Sequence, residues 1–259
     1  MAPVHAPVQP SPIDPDLLLL AYRSGIFPMA DRRDDPDIFW VEPRMRAILP
    51  LDGLVVSRSL ARTLRRGRFH VTCNQAFAAV MEACAAPRPK EGGDGGETWI
   101  SERIEASYRE LQAEGRAHSI ECWQDGRLVG GLYGVGFDRV FCGESMFSRA
   151  ADASKVALCW LVAALRRAGA VLLDCQFLTD HLASLGAVEM PQDDYLDLLR
   201  AAQAGGADAA GLAADADALG AGAALGLPAA FAALLADAAA AGLSSSPGNF
   251  IAQSLTHTS

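Results

Sequence analysis

Apolar and polar positions alternate with different periods along the chain, and the period divides it into elements. Leu17, Leu18, Leu19 and Leu20 follow Asp14 and Pro15. An aspartate that accepts the first free amides, with proline at the first helical position, predicts a helix through Arg23, stopped at Gly25. Between Phe27 and Leu51, Pro28, Pro36, Pro43 and Pro50 interrupt any 3.6-residue period and leave extended segments and turns. Ser57 caps a helix to about Arg66, with Gly67 as its stop. Residues 69–72 form a short strand, and Asn74 caps a helix to about Ala85. Residues 87–96 contain Lys90-Glu91-Gly92-Gly93-Asp94-Gly95-Gly96 and read as a flexible loop.

From Ser101 the rhythm sharpens. A helix runs from Ser101 to Gly115, a strand covers 118–123, and Gln124-Asp125-Gly126-Arg127 is a hairpin turn into a returning strand over 128–135. Residues 140–146 form a further strand. Asp152 or Ser154 starts an apolar helix through Arg167 that stops at Gly169, and 170–175 is a mostly apolar strand. This order is an α+β plan on a mixed sheet with flanking helices, the order of the acyltransferase sheet fold called GNAT. It divides the chain into a mobile Pro-rich leader over 1–13, a smaller N-terminal α/β subdomain with a basic helix over 14–95, a GNAT-like catalytic domain over 96–200, and an Ala/Gly-rich C-terminal tail over 201–259. In the tail, a helix over 227–241 begun at Pro228 is expected after a loose linker.

Composition narrows the classes. The 259 residues are 51% hydrophobic, enough to bury a sizeable core. The longest apolar run, 156–165, is far short of the roughly 20 residues a bilayer requires. The first 15 residues have neither a basic stretch nor an apolar one, so no secretory leader is expected. Cys73, Cys84, Cys122, Cys142, Cys159 and Cys175 are scattered, without metal-ligand spacing, and read as reduced thiols of a cytoplasmic protein with no metal. The net charge of −9 argues against a general nucleic-acid coat protein. The charge is uneven, however: Arg58, Arg62, Arg65, Arg66 and Arg68 form a compact basic cluster able to grip a phosphate backbone.

Several residues are candidates for chemistry. Asp174 and Gln176 flank Cys175 at the end of an apolar strand, where open sheets place their sites; Asp174 reads as a cap for the next segment or as an acid/base or orienting group. Glu144 is an acid inside the apolar run 141–147, either a strand-edge ion-pair partner or a site residue. The glycines of Gly130-Gly131-Leu132-Tyr133-Gly134-Val135-Gly136 lie in a strand hairpin, where they permit close approach of a ligand or backbone rather than forming a dinucleotide loop. The helix after the sheet opens without glycine (Arg149-Ala150-Ala151-Asp152-Ala153-Ser154-Lys155), which speaks against coenzyme A. His118 and His181 read as structural. Trp40 and Trp99, flanked by loop-like sequence, serve either the core or as stacking platforms for unpaired bases.

Taken together, these runs resemble a known family. Ala21-Tyr22-Arg23-Ser24-Gly25-Ile26-Phe27-Pro28, Thr98-Trp99-Ile100, Ala117-His118-Ser119-Ile120-Glu121, the run 128–135, the run 141–149, Ala153-Ser154-Lys155, Asp174-Cys175-Gln176 and the run 181–187 are similar, in collinear order over roughly 15–200, to leucyl/phenylalanyl-tRNA–protein transferases. The resemblance implies an enzyme, without cofactor, that moves Leu or Phe (Met in some members) from aminoacyl-tRNA onto proteins beginning with Arg or Lys, creating an N-degron. It implies Asp174 and Gln176 as the catalytic pair with Glu144 as acidic partner. Gln176 would hold the amine, Asp174 would polarise Gln176, and Glu144 would orient the acceptor or its basic side chain. Trp40 and Trp99, with Met29 where the family often has Trp, would hold the terminal adenosine. Leu132, Phe141, Leu158 and Leu173 would line the donor side-chain pocket, and Arg58, Arg62, Arg65 and Arg66 would face the tRNA backbone. A monomer without membrane association is expected. Two rivals remain at this level: a coenzyme A acyltransferase of the same sheet fold, and a non-catalytic binder of tRNA ends.

Overall fold

Asp14 accepts hydrogen bonds from the amides of Asp16 and Leu17 and starts α1 (Pro15–Arg23), which Gly25 closes with a left-handed backbone. The computed structural model describes residues 11–90, 93–208 and 224–256. Of the expected leader, 1–10 lies outside these residues. Its end is not free: Ile13 is buried and its amide donates to Ser107 Oγ at 2.8 Å. The proline-interrupted region forms β1 (Phe27–Met29) paired with β2 (Phe39–Val41), then β3 (Met45–Ile48). Ser57 caps α2 (Arg58–Arg65) as expected.

β4 (His70–Cys73) is followed by α3 (Phe77–Ala85), and here the expected cap is absent. Asn74 has φ +58 and turns away. Its Oδ1 accepts from the Ser119 amide while its Nδ2 meets His118 Nδ1. Glu121 takes over the helix end, accepting from the Ala76 amide, Ser119 Oγ and Thr72 Oγ1. The glycine-rich loop contains a short ribbon, β5 (Arg88–Lys90) with β6 (Gly93–Gly96); residues 91–92 of that expected loop lie outside the described residues.

Ser101 caps α4 (Glu102–Ala113). β7 (Ala117–Gln124) turns into β8 (Arg127–Phe137) through Asp125 and Gly126, both with positive φ, the twist-matched two-residue hairpin. β9 (Val140–Ser148), α5 (Ala153–Arg167), β10 (Leu172–Gln176), α6 (Asp180–Ala183), β11 (Val188–Pro191) and α7 (Gln192–Asp208) follow. Beyond them, α8 (Leu227–Ala240) matches the helix expected in the tail, whereas α9 (Pro247–Thr256) was not foreseen. The expected linker falls largely on 209–223, outside the described residues.

The main sheet has the order β11-β3-β10-β9-β8-β7-β4. Only β9 and β10 run parallel; every other neighbouring pair is antiparallel. β3 and β4 belong to the expected N-terminal subdomain and β7 to β10 to the expected catalytic domain, so the sheet spans the 95/96 boundary. One face packs on α5, over which α2, α8 and α9 close, with Trp160 against Phe231 at 5.1 Å between ring centroids. The other face carries α1, α3, α4 and α7. Among the described residues no helix is long and apolar enough to cross a membrane, and no disulfide joins any of the six cysteines.

The strand glycines act through close approach. A Cβ on Gly130 would sit 2.4 Å from Ala153 Cβ, and one on Gly134 would sit 2.2 Å from the Cys142 carbonyl and 2.5 Å from the Phe141 ring. The first turn of α5 and the Phe141 ring therefore lie directly on β8. Replacing Gly130 with alanine is expected to push α5 off the sheet and cost about 1–3 kcal/mol. Thermal melting several degrees below wild type checks this, and an unchanged melt would refute the contact.

Candidate functional site

β9 and β10 are in register from Leu172 opposite Val140 to Asp174 opposite Cys142, and there their pairing ends. Each strand then inserts one extra residue. Glu144 has no partner where Tyr133 faces Ser145 and Gly134 faces Gly143. Cys175 has none where Asp174 faces Ile48 and Gln176 faces Ala47. A bulge bends its strand and re-aims the neighbouring side chains. The two bulges part the parallel strands at their carboxyl ends, where open sheets hold ligands. A cavity of about 690 Å³ opens at this point, within the usual range for small-molecule sites. Leu132, Leu158, Leu161 and Leu173 form an apolar wall, and Glu144, Gln176, Tyr133, His181 and Trp99 also line it.

Gln176 has φ +61, a left-handed backbone that costs a non-glycine residue on the order of 1–2 kcal/mol. Its side chain donates from Nε2 to Glu144 Oε1 at 2.9 Å. Its backbone amide donates to Asp174 Oδ1 at 2.8 Å. The expected polarisation of the Gln176 carboxamide by Asp174 is therefore corrected: the carboxylate on that side chain is Glu144, and Asp174 touches only the Gln176 main chain. Asp174 is fully buried, and Arg46 grips it with both prongs, Nε to Oδ1 at 2.9 Å and Nη2 to Oδ2 at 2.6 Å. The Tyr195 hydroxyl donates to Oδ2 at 3.1 Å. Four donors fall on its two oxygens, and Asp174 does not line the cavity.

Glu144 is placed differently. The Tyr108 hydroxyl donates to its Oε2 at 3.1 Å, and Tyr22 hydrogen-bonds to Tyr108. Burial raises the Glu144 pKa to about 7, opposed by the hydrogen bonds from Gln176, Tyr22 and Tyr108. Its neighbours through hydrogen bonds are all neutral, so the carboxyl group is held near its titration midpoint at neutral pH. Beside it, the Tyr133 hydroxyl is buried without a hydrogen-bond partner. Of the two candidate histidines, His118 is buried with Nε2 unpaired and its pKa lowered to about 4 by burial. His181 lines the cavity, its pKa lowered by burial and then by Lys155.

The remaining expected residues divide. Trp99, Leu132, Leu158 and Leu173 line the cavity, whereas Met29, Trp40 and Phe141 do not. Phe141 is sealed beneath Gly134, which removes it from the wall. Met29 and Trp40 lie on the β1–β2 ribbon, opposite Phe39 and Pro28, with Trp40 40% exposed. The ribbon's foot is tied to the cavity rim, since the Ala30 amide donates to the Trp99 carbonyl at 3.2 Å. Arg58, Arg62, Arg65 and Arg66 all project from α2 and its end into solvent. Sequence reasoning assigned no role to Arg46, Tyr22, Tyr108, Tyr133 or Tyr195. The one available signal was an arginine inside the apolar strand Met45-Arg46-Ala47-Ile48-Leu49.

Because the Glu144 pKa is raised on folding, the folded chain holds a proton that the unfolded chain releases at lower pH. The associated stability is complete below the unfolded value, about 4.3, and is lost as pH rises from there through about 7. Glu144→Gln is therefore expected to melt above wild type at pH 8 and close to it at pH 5. A gap equal at both pH values would show that burial of the charge is not its cause.

Residues 48–200 match the family model of leucyl/phenylalanyl-tRNA protein transferase, and 11–44 match the model of that family's N-terminal domain. The leucyl/phenylalanyl-tRNA–protein transferase of Novosphingobium aromaticivorans is 67% identical over 97% of this chain and 99% of its own length. Those of Rhizorhabdus wittichii and Zymomonas mobilis are 58% and 55% identical, covering 77% and 73% of this chain and 79% and 69% of their own lengths. With its two bulged strands and cavity inside the matched region, the chain belongs to the leucyl/phenylalanyl-tRNA protein transferase family and is an aminoacyltransferase.

Proposed function

We propose that the protein transfers Leu or Phe, with Met as a further donor, from aminoacyl-tRNA to the N-terminal Arg or Lys of acceptor proteins, marking them as N-degrons, and that it works as a cytoplasmic monomer on a GNAT-like sheet. The observation that carries this reading is the Gln176–Glu144 contact at the head of an apolar-walled cavity. The donor is an ester with an already reactive carbonyl, so the task is to present a neutral amine to it. An α-amino group, with a pKa of about 7.7–8.0, arrives mostly protonated. Gln176 spends its Nε2 on Glu144 and keeps Oε1 free to accept from the amine. Glu144, poised near neutrality, takes the amine's proton, and the leaving tRNA 3′-oxygen recovers one as the ester breaks. Leu132, Leu158 and Leu173 receive the donor side chain, and positioning supplies most of the rate. Trp99 at the rim and Met29 and Trp40 on the ribbon meet the terminal adenosine, while Arg58, Arg62, Arg65 and Arg66 follow the tRNA backbone.

The decisive experiment incubates the protein with Leu-tRNA and an Arg-starting peptide and reads the added residue by mass. No product with Leu, Phe or Met donors would sink the proposal. Gln176→Ala is expected to cut turnover by something like 10²–10⁴-fold, the usual range for a group that manages a proton in the transition state. The wild-type rate should rise with pH through about 7 as Glu144 ionises, and Glu144→Gln should lose that limb together with most activity. Replacing Arg62, Arg65 and Arg66 with Ala should weaken tRNA binding and flatten its salt dependence. Transfer from a minimal aminoacyl-adenosine donor should hardly change, and equal losses with both donors would make α2 a structural element instead.

A further inference from the structure

Arg46 is an arginine almost wholly removed from solvent, at 1% exposure. Its guanidinium lies over the rings of Phe27 and Tyr195, 4.8 and 4.6 Å from their centroids. Nη1 donates to the Gly25 carbonyl at 2.9 Å, and Nε and Nη2 form the two-pronged bond to Asp174. All three guanidinium nitrogens thus carry a hydrogen bond, and the carboxylate they hold is fixed with them. Asp174 Oδ1 accepts at once from Arg46 Nε and from the Gln176 amide. That second bond spans the Cys175 bulge and closes the turn in which Gln176 adopts its left-handed backbone.

From this chain of contacts we propose that Arg46 is a positioning residue for catalysis: through Asp174 it fixes the Gln176 main chain in the conformation that aims the carboxamide at Glu144 and the cavity. Neither Arg46 nor Asp174 lines the cavity, so neither touches the reacting groups. A strained backbone persists only where its surroundings over-determine it, and here the Arg46–Asp174 pair supplies that determination. With a less rigid cation, Gln176 relaxes toward an ordinary backbone and its side chain leaves Glu144. The proposal rests on Gln176 being the group that meets the acceptor amine.

The test is a double-mutant cycle on the full-length chain, with Leu-tRNA and an Arg-starting peptide. Arg46→Lys keeps the charge and removes the planar fork. It is expected to lower kcat about 10–100-fold while both KM values stay within about 3-fold, as for loss of an interaction made only in the transition state. In a Gln176→Ala background the same change should lower kcat by no more than about 2-fold, because the group being positioned is gone. Equal losses in the two backgrounds would overturn the proposal and make Arg46 simply structural. Should Arg46→Lys fail to fold, Tyr195→Phe removes a single donor from Asp174 and is expected to show the same non-additivity at roughly 3–10-fold. A second readout is independent of turnover. The ¹⁵N–¹H side-chain amide signal of Gln176, assigned by its loss in Gln176→Ala, should move to free-amide positions in the position-46 or position-195 variant. An unmoved signal defeats the clamp, and this holds even if wild-type enzyme transfers nothing, the outcome that would defeat the proposed function instead.

Discussion

The Arg46–Asp174 ion pair is the constraint on which the architecture around the site depends. Two unit charges removed from water destabilise a fold unless each is nearly saturated with partners. Here saturation draws in four separate segments. β3 brings Arg46, β10 brings Asp174, α7 brings the Tyr195 hydroxyl and ring, and the α1–β1 junction brings the Gly25 carbonyl and, from β1, Phe27. Removing either ion leaves the other buried and alone, a loss on the order of 3–5 kcal/mol. The pair thus selects the arrangement in which β3 lies beside β10 and the N-terminal segment is docked over both.

From that fixed point the cavity follows by geometry. β10 cannot continue straight past Asp174 because its amide is drawn back to the carboxylate, so Cys175 bulges and Gln176 turns over. β9 answers with its own extra residue, Glu144, at the matching level. The parallel pair opens only where both strands have departed from regular register. Polar groups end up at the head of the opening and leucines along its wall, so the cavity is divided into a hydrogen-bonding end and an apolar one.

Much of this was legible from residue order, and the parts that were not share a cause. Helix ends at Asp14, Ser57 and Ser101 and the Asp125-Gly126 hairpin could be read because local chemistry decides them. Asp174, Glu144 and Gln176 stood out as polar residues in apolar strands, yet their pairing could not be deduced. The resemblance implied that Asp174 acts on the Gln176 side chain; the bulge sets that side chain against Glu144, 32 positions away. Asn74 failed as a cap because a cross-strand contact with Ser119 and His118 outweighed helix initiation. Phe141 was misplaced because the direction of a strand side chain depends on register, and Gly134, diagonal to it on β8, leaves a socket for its ring. Arg46 was passed over because a buried arginine is meaningful only once its partner, 128 residues on, is known.

The junction of α2 and α9 bears on the order in which the molecule is finished. A Cβ on Gly248 would meet the Leu64 carbonyl at 2.4 Å, so the start of α9 sits against the end of α2. Ser246 Oγ donates to the Arg65 carbonyl across 181 positions of chain. At synthesis rates of about 5–20 residues per second, α2 emerges from the ribosome roughly 10–40 s before the segment that braces it. For the first half of that interval α5 is still unmade; once it has followed, the arginine-bearing helix rests on it without outer support, and Trp160 and its neighbours lack the cover of α8. A nascent chain therefore completes its sheet and cavity before it completes the platform beneath its basic surface.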